Sequence, residues 1–185
     1  MIIKSVLDVE QRKKLLHTMR NIIKEGKTFV EDNHKNADST YKHPAFQQVL
    51  YDVKPFIERV IGKEIYPTYS FSRLYRKGSI LEKHFDRPAC QVSLTLQVYS
   101  DGDPWPIFVC DDPHILTEEV DPSTIKEYKL EDGDAVLYNG CDQIHWRDEY
   151  TGKEQHQIFL HYVIADGPHK DHKDDALLNK ELANG

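Results

Sequence analysis

Residues 72–86, with the sequence SRLYRKGSILEKHFD, decide the fold of this chain. Aromatic and branched residues stand on both sides of Gly78, which predicts two short strands at 69–76 and 80–84 joined by a turn. His84 and Asp86 are two positions apart, so on a strand their side chains point to the same face. The stretch therefore predicts a β-rich fold that presents a histidine and a carboxylate side by side.

The pattern of strands and turns continues after this stretch. Segments of β-branched and aromatic residues alternate with Gly, Pro and Asp turns from residue 65 onward. About eight short strands in one domain predict a sandwich, barrel or jelly roll. The predicted strands are 69–76, 80–84, 91–99, 107–110, 125–130, 135–138, 143–146 and 156–165.

The N-terminal third has helical periodicity instead. Asp8 is a predicted N-cap for a first amphipathic helix that ends near Gly26. Apolar residues spaced three and four apart between 46 and 61 predict a second helix, which Gly62 ends. Pro55 lies inside this second stripe and predicts a kink or a break into two helices.

No repeat or linker divides the 185 residues, which predicts a single domain. Its parts are expected to be a helical support (1–63), a β core (64–165) and a polar tail (166–185). The histidines and acids of residues 169–175 resemble a metal tract, but a solvated tail of mixed charge is the favoured interpretation.

Composition limits the classes of partner that the protein is expected to bind. The formal net charge of −7 disfavours nucleic acid, since proteins that bind phosphates present basic surfaces. No apolar run approaches the roughly 18 residues of a membrane span, and no signal peptide is visible, so a cytoplasmic protein without membrane contact is expected. Cys90, Cys110 and Cys141 are too far apart for a zinc ribbon and are expected to be reduced thiols.

A third metal ligand is available downstream. His145 lies on a predicted short strand and would complete a set of two histidines and one carboxylate with His84 and Asp86. That set leaves coordination positions open and suits ferrous iron that must also hold a substrate and O₂. An HxD pattern alone is weak in a chain with ten histidines.

Two further histidines compete for this role. His161 lies within an apolar strand and is expected to be a core residue or to support the ligands. His156 and His161 are separated by an odd number of positions, so they should face opposite sides of a regular strand. The sequence leaves open which of the two faces the site.

An acidic co-substrate would also need a cation. Lys153 follows Gly152 at the start of the last strand and is the predicted partner of a carboxylate, with Arg147 and His156 as rivals. Arg87 could orient a substrate group or form a surface ion pair. Trp146 could line the pocket or simply pack in the core.

Residues 72–79, His84-Phe85-Asp86, His145, Gly152-Lys153 and 159–161 together resemble the 2-oxoglutarate- and Fe(II)-dependent oxygenases, and most closely their prolyl 4-hydroxylase-like branch. The resemblance covers roughly residues 69–163. It implies a mostly β, α+β fold in which a double-stranded β-helix, or jelly roll, is supported by helices.

The resemblance also implies a site and a reaction. Iron would be held by His84, Asp86 and His145, and Tyr75 and Lys153 would bind 2-oxoglutarate. The reaction would use O₂ to hydroxylate an aliphatic carbon, releasing succinate and CO₂, with ascorbate as an optional reductant. A prolyl or related peptide residue is the expected substrate.

Two departures from the branch leave the co-substrate and substrate contacts open. Lys153 comes slightly earlier than the usual cation of the branch, and His156 lies closer to that position. Residues 103–107, Asp-Pro-Trp-Pro-Ile, replace the usual Gly-Gly-Glu-Thr type of segment. Alternative functions are a hydroxylase of a free amino acid, small metabolite or nucleic-acid base, and a non-catalytic cupin-like metal-binding module.

Overall fold

A computed structural model describes residues 1–31, 36–102, 104–112 and 120–175. Predictions for Asp103 and for the tail beyond residue 175 lie outside the described residues. The described residues form ten strands and two α-helices. Their bounds are β1 Ile2–Ile3, α1 Val9–Lys24, β2 Ala37–Tyr41, α2 Pro44–Ile61, β3 Ile65–Arg76, β4 Leu81–His84, β5 Val92–Ser100, β6 Ile107–Cys110, β7 Ile125–Tyr128, β8 Ala135–Tyr138, β9 His145–Arg147 and β10 Glu154–Ile164.

The strands form two antiparallel sheets. The larger has six strands in the order β1-β8-β5-β10-β3-β2, and the smaller has four in the order β4-β9-β6-β7. Consecutive strands repeatedly cross from one sheet to the other, as in a jelly roll. β1 and β2, which the sequence patterns did not predict, add the two outer strands of the larger sheet.

The predicted helix caps are found at the start of α1 and at the end of α2. The Asp8 side chain accepts a hydrogen bond from the backbone N–H of Gln11 at the start of α1, and Gly62 follows α2 in the left-handed conformation at φ 69°. The predicted break at Pro55 is wrong, because α2 continues through it. Proline deprives the Tyr51 carbonyl of its helical partner, but Tyr51 is on the exposed side of the helix, where water can replace that partner. Among the described helices, none is long and apolar enough to cross a membrane.

The main apolar core lies between the helices and one face of the larger sheet. It joins residues of α1 and α2 to the alternate positions Ile158, Leu160 and Tyr162 of β10. Because side chains alternate along a strand, the intervening positions of β10 face the smaller sheet. The space between the two sheets is thus left to the other face of β10, which carries Phe159 and His161.

The described part of the polar tail is mostly exposed, but its last residue is packed against the β core. Residues 170–175 form 3-10 turns against β3. The Asp175 side chain is fully buried and accepts hydrogen bonds from both terminal nitrogens of Arg87, at 2.5 and 2.6 Å, and from the Tyr41 hydroxyl. The expected solvated tail fits residues 166–174, which are exposed or half-buried, but not Asp175, because this carboxylate finds charged and polar partners on the β core.

The Asp175→Asn variant is expected to lower the free energy of unfolding by about 1.5–3 kcal/mol at pH 7, the range for a hydrogen bond to a charged group. Burial would raise the Asp175 pKa, but Arg87 and Tyr41 outweigh it and hold the pKa below its ordinary value. The stabilisation is thus present above the unfolded pKa and lost as the pH falls through the folded one. In urea unfolding, the difference in the free energy of unfolding between the wild type and the variant should be smaller at pH 3 than at pH 7. An equal gap at both pH values would contradict this account.

Candidate metal centre

Two histidines meet across neighbouring strands of the smaller sheet. His84, the last residue of β4, is directly opposite His145, the first residue of β9, and their ring centroids are 4.2 Å apart. Asp86 follows β4 and places one carboxylate oxygen 3.5 Å from His84 Nε2 and the other 3.7 Å from His145 Nε2. The structure brings these three predicted residues together, and His145 comes from the adjacent strand and not from the opposite side of a barrel.

Backbone carbonyls orient both rings. His84 Nδ1 is 2.8 Å from the Glu82 carbonyl oxygen, and His145 Nδ1 is 2.9 Å from the Gln143 carbonyl oxygen. A carbonyl only accepts, so each Nδ1 carries a proton and Nε2 is the nitrogen turned toward Asp86. When the ring is neutral, Nε2 offers its lone pair to a metal, and carbonyl partners of this kind orient the histidines of many metal sites.

The charge states also suit a cation. Burial would raise the pKa of Asp86, but the hydrogen bond with His84 and the imidazoles of His145 and His161 outweigh it and hold the pKa at about 2. Burial lowers the pKa of His145 to about 4, so this ring is neutral at physiological pH. A carboxylate and a neutral imidazole are the forms that bind metals. The donor atoms of His84, Asp86 and His145 all lie within 4.8 Å of one another.

A cavity of about 230 Å³ opens in front of these residues. Its wall combines aromatic rings with one ion pair, between Glu31 and Arg73. Besides the His84, Asp86 and His145 side chains, it is lined by Glu31, Tyr69, Phe71, Arg73, Leu81, Tyr138, Phe159 and His161.

Tyr75 lies deeper, on the same face of β3 as Arg73. Its side chain is completely buried, its hydroxyl accepts a hydrogen bond from Arg73 Nη1 at 3.0 Å, and its ring makes an edge contact with Trp105. Arg73 also donates to Ser39 and to Glu31, so its three nitrogens all have partners. Arg73 is therefore a satisfied cation of the cavity wall.

Arg147 is a buried cation whose donors are only partly paired among the described residues. It is two positions after His145 on β9, is 1% exposed, and lies over the Trp105 ring at 4.9 Å. Its Nη1 donates to the Trp105 carbonyl, but among the described residues Nε and Nη2 have no hydrogen-bond partner. Burial lowers its pKa to about 10, so it remains charged at neutral pH. A buried charge with unpaired donors calls for an anionic ligand.

Lys153 is not brought to the cavity. Its side chain is exposed, and its backbone N–H donates to Asp101 at 3.0 Å. The turn before β10 directs this lysine to solvent, so the placement does not support the predicted role in binding a carboxylate.

His156 and Trp146 also point away from the cavity. His156 Nε2 is 2.8 Å from Ser72 Oγ, and its ring contacts Phe46 of α2 on the helical side of the larger sheet. Trp146 stacks on Phe108 at 5.3 Å on the outer side of the smaller sheet. Both placements follow from strand alternation next to His161 and His145, respectively.

His161 and Arg87 both stay close to Asp86. His161 lines the cavity, and its Nδ1 is 2.9 Å from Ser93 Oγ. Arg87 pairs with Asp175 and lies over the Tyr69 ring at 4.3 Å, which favours the ion-pair interpretation of this residue over a substrate contact.

Sequence reasoning missed Arg73, Gln155 and Gly140. Arg73 could have been found from its two-residue spacing to Tyr75, and Gln155 from its even spacing to His161, since both spacings place a residue on the cavity side. Gln155 pairs with Tyr75 across β3 and β10, and among the described residues its side-chain amide has no partner. Gly140 carried no such signal.

No protein-family model and no curated protein matches the chain. Solved structures do match its fold. A Pseudomonas putida prolyl-4-hydroxylase is 13% identical with a TM-score of 0.67, over 89% of this chain and 91% of that one. HygX from Streptomyces hygroscopicus, with nickel, 2-oxoglutarate and hygromycin B bound, is 11% identical with a TM-score of 0.70, over 90% and 83%.

A third match is SnoN, a non-heme alpha-ketoglutarate-dependent epimerase from nogalamycin biosynthesis. It is 12% identical with a TM-score of 0.69, over 89% of this chain and 78% of that one. At such identities the matches establish the fold and no more. The predicted fold, a double-stranded β-helix (jelly roll) supported by N-terminal helices, is confirmed.

Proposed function

We propose that this chain is a 2-oxoglutarate- and Fe(II)-dependent dioxygenase whose iron is held by His84, Asp86 and His145. The observation that carries the proposal is the convergence of two Nε2 lone pairs and one ionised carboxylate at the wall of an open cavity. This donor set and the shared fold together favour iron and 2-oxoglutarate over a purely structural metal, which would have a closed ligand set.

Iron, 2-oxoglutarate and O₂ would supply the oxidation, and the chain supplies orientation and shelter. The Glu82 and Gln143 carbonyls hold the two imidazoles in their metal-binding tautomer. Tyr138 and Phe159 line the cavity and limit the access of water. Ascorbate as a reductant remains a prediction.

The distal carboxylate of 2-oxoglutarate is assigned to Arg147 and Tyr75. Among the described residues, two donors of Arg147 have no partner, and the Arg147 and Tyr75 side chains both contact the Trp105 ring. The unpaired amide of Gln155, opposite Tyr75 on β10, can add a further hydrogen bond. Arg147 thus replaces Lys153 in the role of the cation. Trp105 belongs to residues 103–107, the segment in which the sequence departs from the prolyl-hydroxylase pattern. The proposed new cation, Arg147, therefore contacts the segment that also departs from that pattern.

The proposed reaction hydroxylates an aliphatic carbon. A prolyl or related peptide residue remains the first candidate for the substrate. A free amino acid or small metabolite is the second, and the size of the cavity favours it. About 230 Å³ is below the roughly 300–1,000 Å³ of common ligand pockets. The printed names of the matched structures include both a prolyl hydroxylase and HygX with hygromycin B bound. Residues 1–185 are proposed to act as one domain in the cytoplasm.

Turnover tests the proposal and separates the substrate classes. The iron-loaded protein should release succinate from 2-oxoglutarate, and the rate should rise with the true substrate in a panel of prolyl peptides, free amino acids and small metabolites. Mass spectrometry should then find a product heavier by one oxygen. Tight iron binding without any succinate would instead favour a cupin-like, non-catalytic module.

Gly140→Ala is expected to weaken iron binding by about 10- to 100-fold, the usual effect of disturbing the support of a ligand. A Cβ at this position would lie 2.4 Å from the Asp86 carboxylate and 2.5 Å from Ser93 Oγ, so the carboxylate must move. Gly102→Ala is the matched control, because nothing lies within 4 Å of its Cβ. Anaerobic iron titrations compare the variants, and equal affinities would refute the role of Gly140.

A further inference from the structure

Asp86 belongs to a second group of potential ligands on its other side. Donor atoms of Asp86, Cys90 and His161 lie within 4.8 Å of one another. Cys90 is 1% exposed and His161 is 5% exposed. The proposed iron site uses neither of these two side chains as a ligand.

Three separate elements bring this group together. Cys90 ends the 3-10 turn Pro88–Cys90 that follows Asp86, and His161 comes from β10. Ser93 Oγ of β5 joins them, at 2.9 Å from His161 Nδ1 and 3.4 Å from an Asp86 oxygen. Cys90 Sγ is held 3.0 Å from the Tyr69 hydroxyl. The group is fixed by the fold and does not depend on mobile surface side chains.

The ligand chemistry differs from that of the first set. A thiolate, an imidazole and a carboxylate suit Zn²⁺ and other thiophilic cations, whereas two imidazoles and a carboxylate suit ferrous iron. Tetrahedral binding needs donor atoms about 3.5 Å apart, so these groups would close by roughly 1 Å around the ion. Burial raises the pKa of the Cys90 thiol, so the cation must displace its proton, which leaves through the cavity that Asp86 and His161 line.

We propose that Asp86, Cys90 and His161 form a second binding site for Zn²⁺ or a similar thiophilic divalent cation. Asp86 and His161 line the cavity, so a cation can reach the site from there. Because the two sets share Asp86, occupancy of this site withdraws a ligand from the first and inhibits the enzyme. The inhibition rests on the proposed function, whereas the binding does not.

Cobalt(II) tests the binding without any turnover, since a thiolate bound to cobalt gives an intense near-ultraviolet charge-transfer band. The wild-type protein and the His84→Ala variant should both show the band, because His84 is not part of the second set. Cys90→Ser should lose it. Cys110→Ser is the matched control, as Cys110 is also a buried free thiol but lies near Thr124. If circular dichroism shows that Cys90→Ser is unfolded, His161→Gln replaces it.

Absence of the band from the wild-type protein, or its persistence in Cys90→Ser, would overturn the proposal. Inhibition is measured separately, as the zinc concentration that halves succinate release. Cys90→Ser should raise that concentration at least about tenfold, the lower range for perturbed metal sites. An unchanged value would refute inhibition through this site. A protein with the cobalt band but no turnover would contradict the dioxygenase function and leave the second site standing.

Discussion

Asp86→Ala is expected to abolish turnover and to weaken iron binding by more than about 100-fold, since even support residues of metal sites cost 10–100-fold. The variant removes the carboxylate that faces both imidazoles. Two neutral nitrogens would remain, without the charge that offsets the cation. Anaerobic iron titration and succinate release measure the two losses in the same preparation.

Asp52→Ala is the control for this experiment. Asp52 is an exposed acid on α2 whose side chain accepts a hydrogen bond from Gln48. Its replacement should leave iron affinity and turnover at the wild-type level. An Asp86→Ala protein that still binds iron normally and turns over would contradict the ligand assignment.

Arg147→Gln is expected to raise the KM for 2-oxoglutarate by about 100- to 1,000-fold, or roughly 3–4 kcal/mol, which is the lower part of the loss when a buried charge pair loses one partner. Iron affinity should change little, because Arg147 is not one of the proposed metal ligands. Without 2-oxoglutarate, the variant should be at least as stable as the wild type, since it relieves a buried and incompletely paired cation. Arg147→Lys should restore part of the affinity.

Lys153→Ala is the matched control, because this lysine is exposed, whereas Arg147 is buried. Its KM for 2-oxoglutarate should stay within twofold or so of the wild type, as for most surface substitutions. The reverse result, a large effect at Lys153 and none at Arg147, would show that Lys153 binds the 2-oxoglutarate carboxylate, as the sequence predicts.

The fold was predictable because its signals are local. Helix caps at Asp8 and Gly62 depend on neighbouring residues, and strand patterns depend on alternation. His84 and Asp86 were found for the same reason, as their two-residue spacing puts both on one side. The location of His145 in the adjacent strand required the order β4-β9-β6-β7, which no local pattern contains.

The co-substrate cation illustrates what local patterns cannot decide. Lys153 and Arg147 are both close to His145 in sequence, yet only Arg147 shares its strand face and lies over the Trp105 ring. The difference depends on where β9 ends and how the following turn leaves the sheet. Asp175 is similar, because its burial depends on Arg87 and Tyr41, which are distant in sequence.

The most direct test of the central claim is an anaerobic titration of the iron-loaded protein with 2-oxoglutarate, followed by visible absorption. Chelation of the iron by 2-oxoglutarate gives a charge-transfer band in this range. We predict the band in the wild-type protein, its loss in Asp86→Ala, and a much higher half-saturating concentration in Arg147→Gln. Folded wild-type protein that binds iron but shows no band at saturating 2-oxoglutarate would contradict the account.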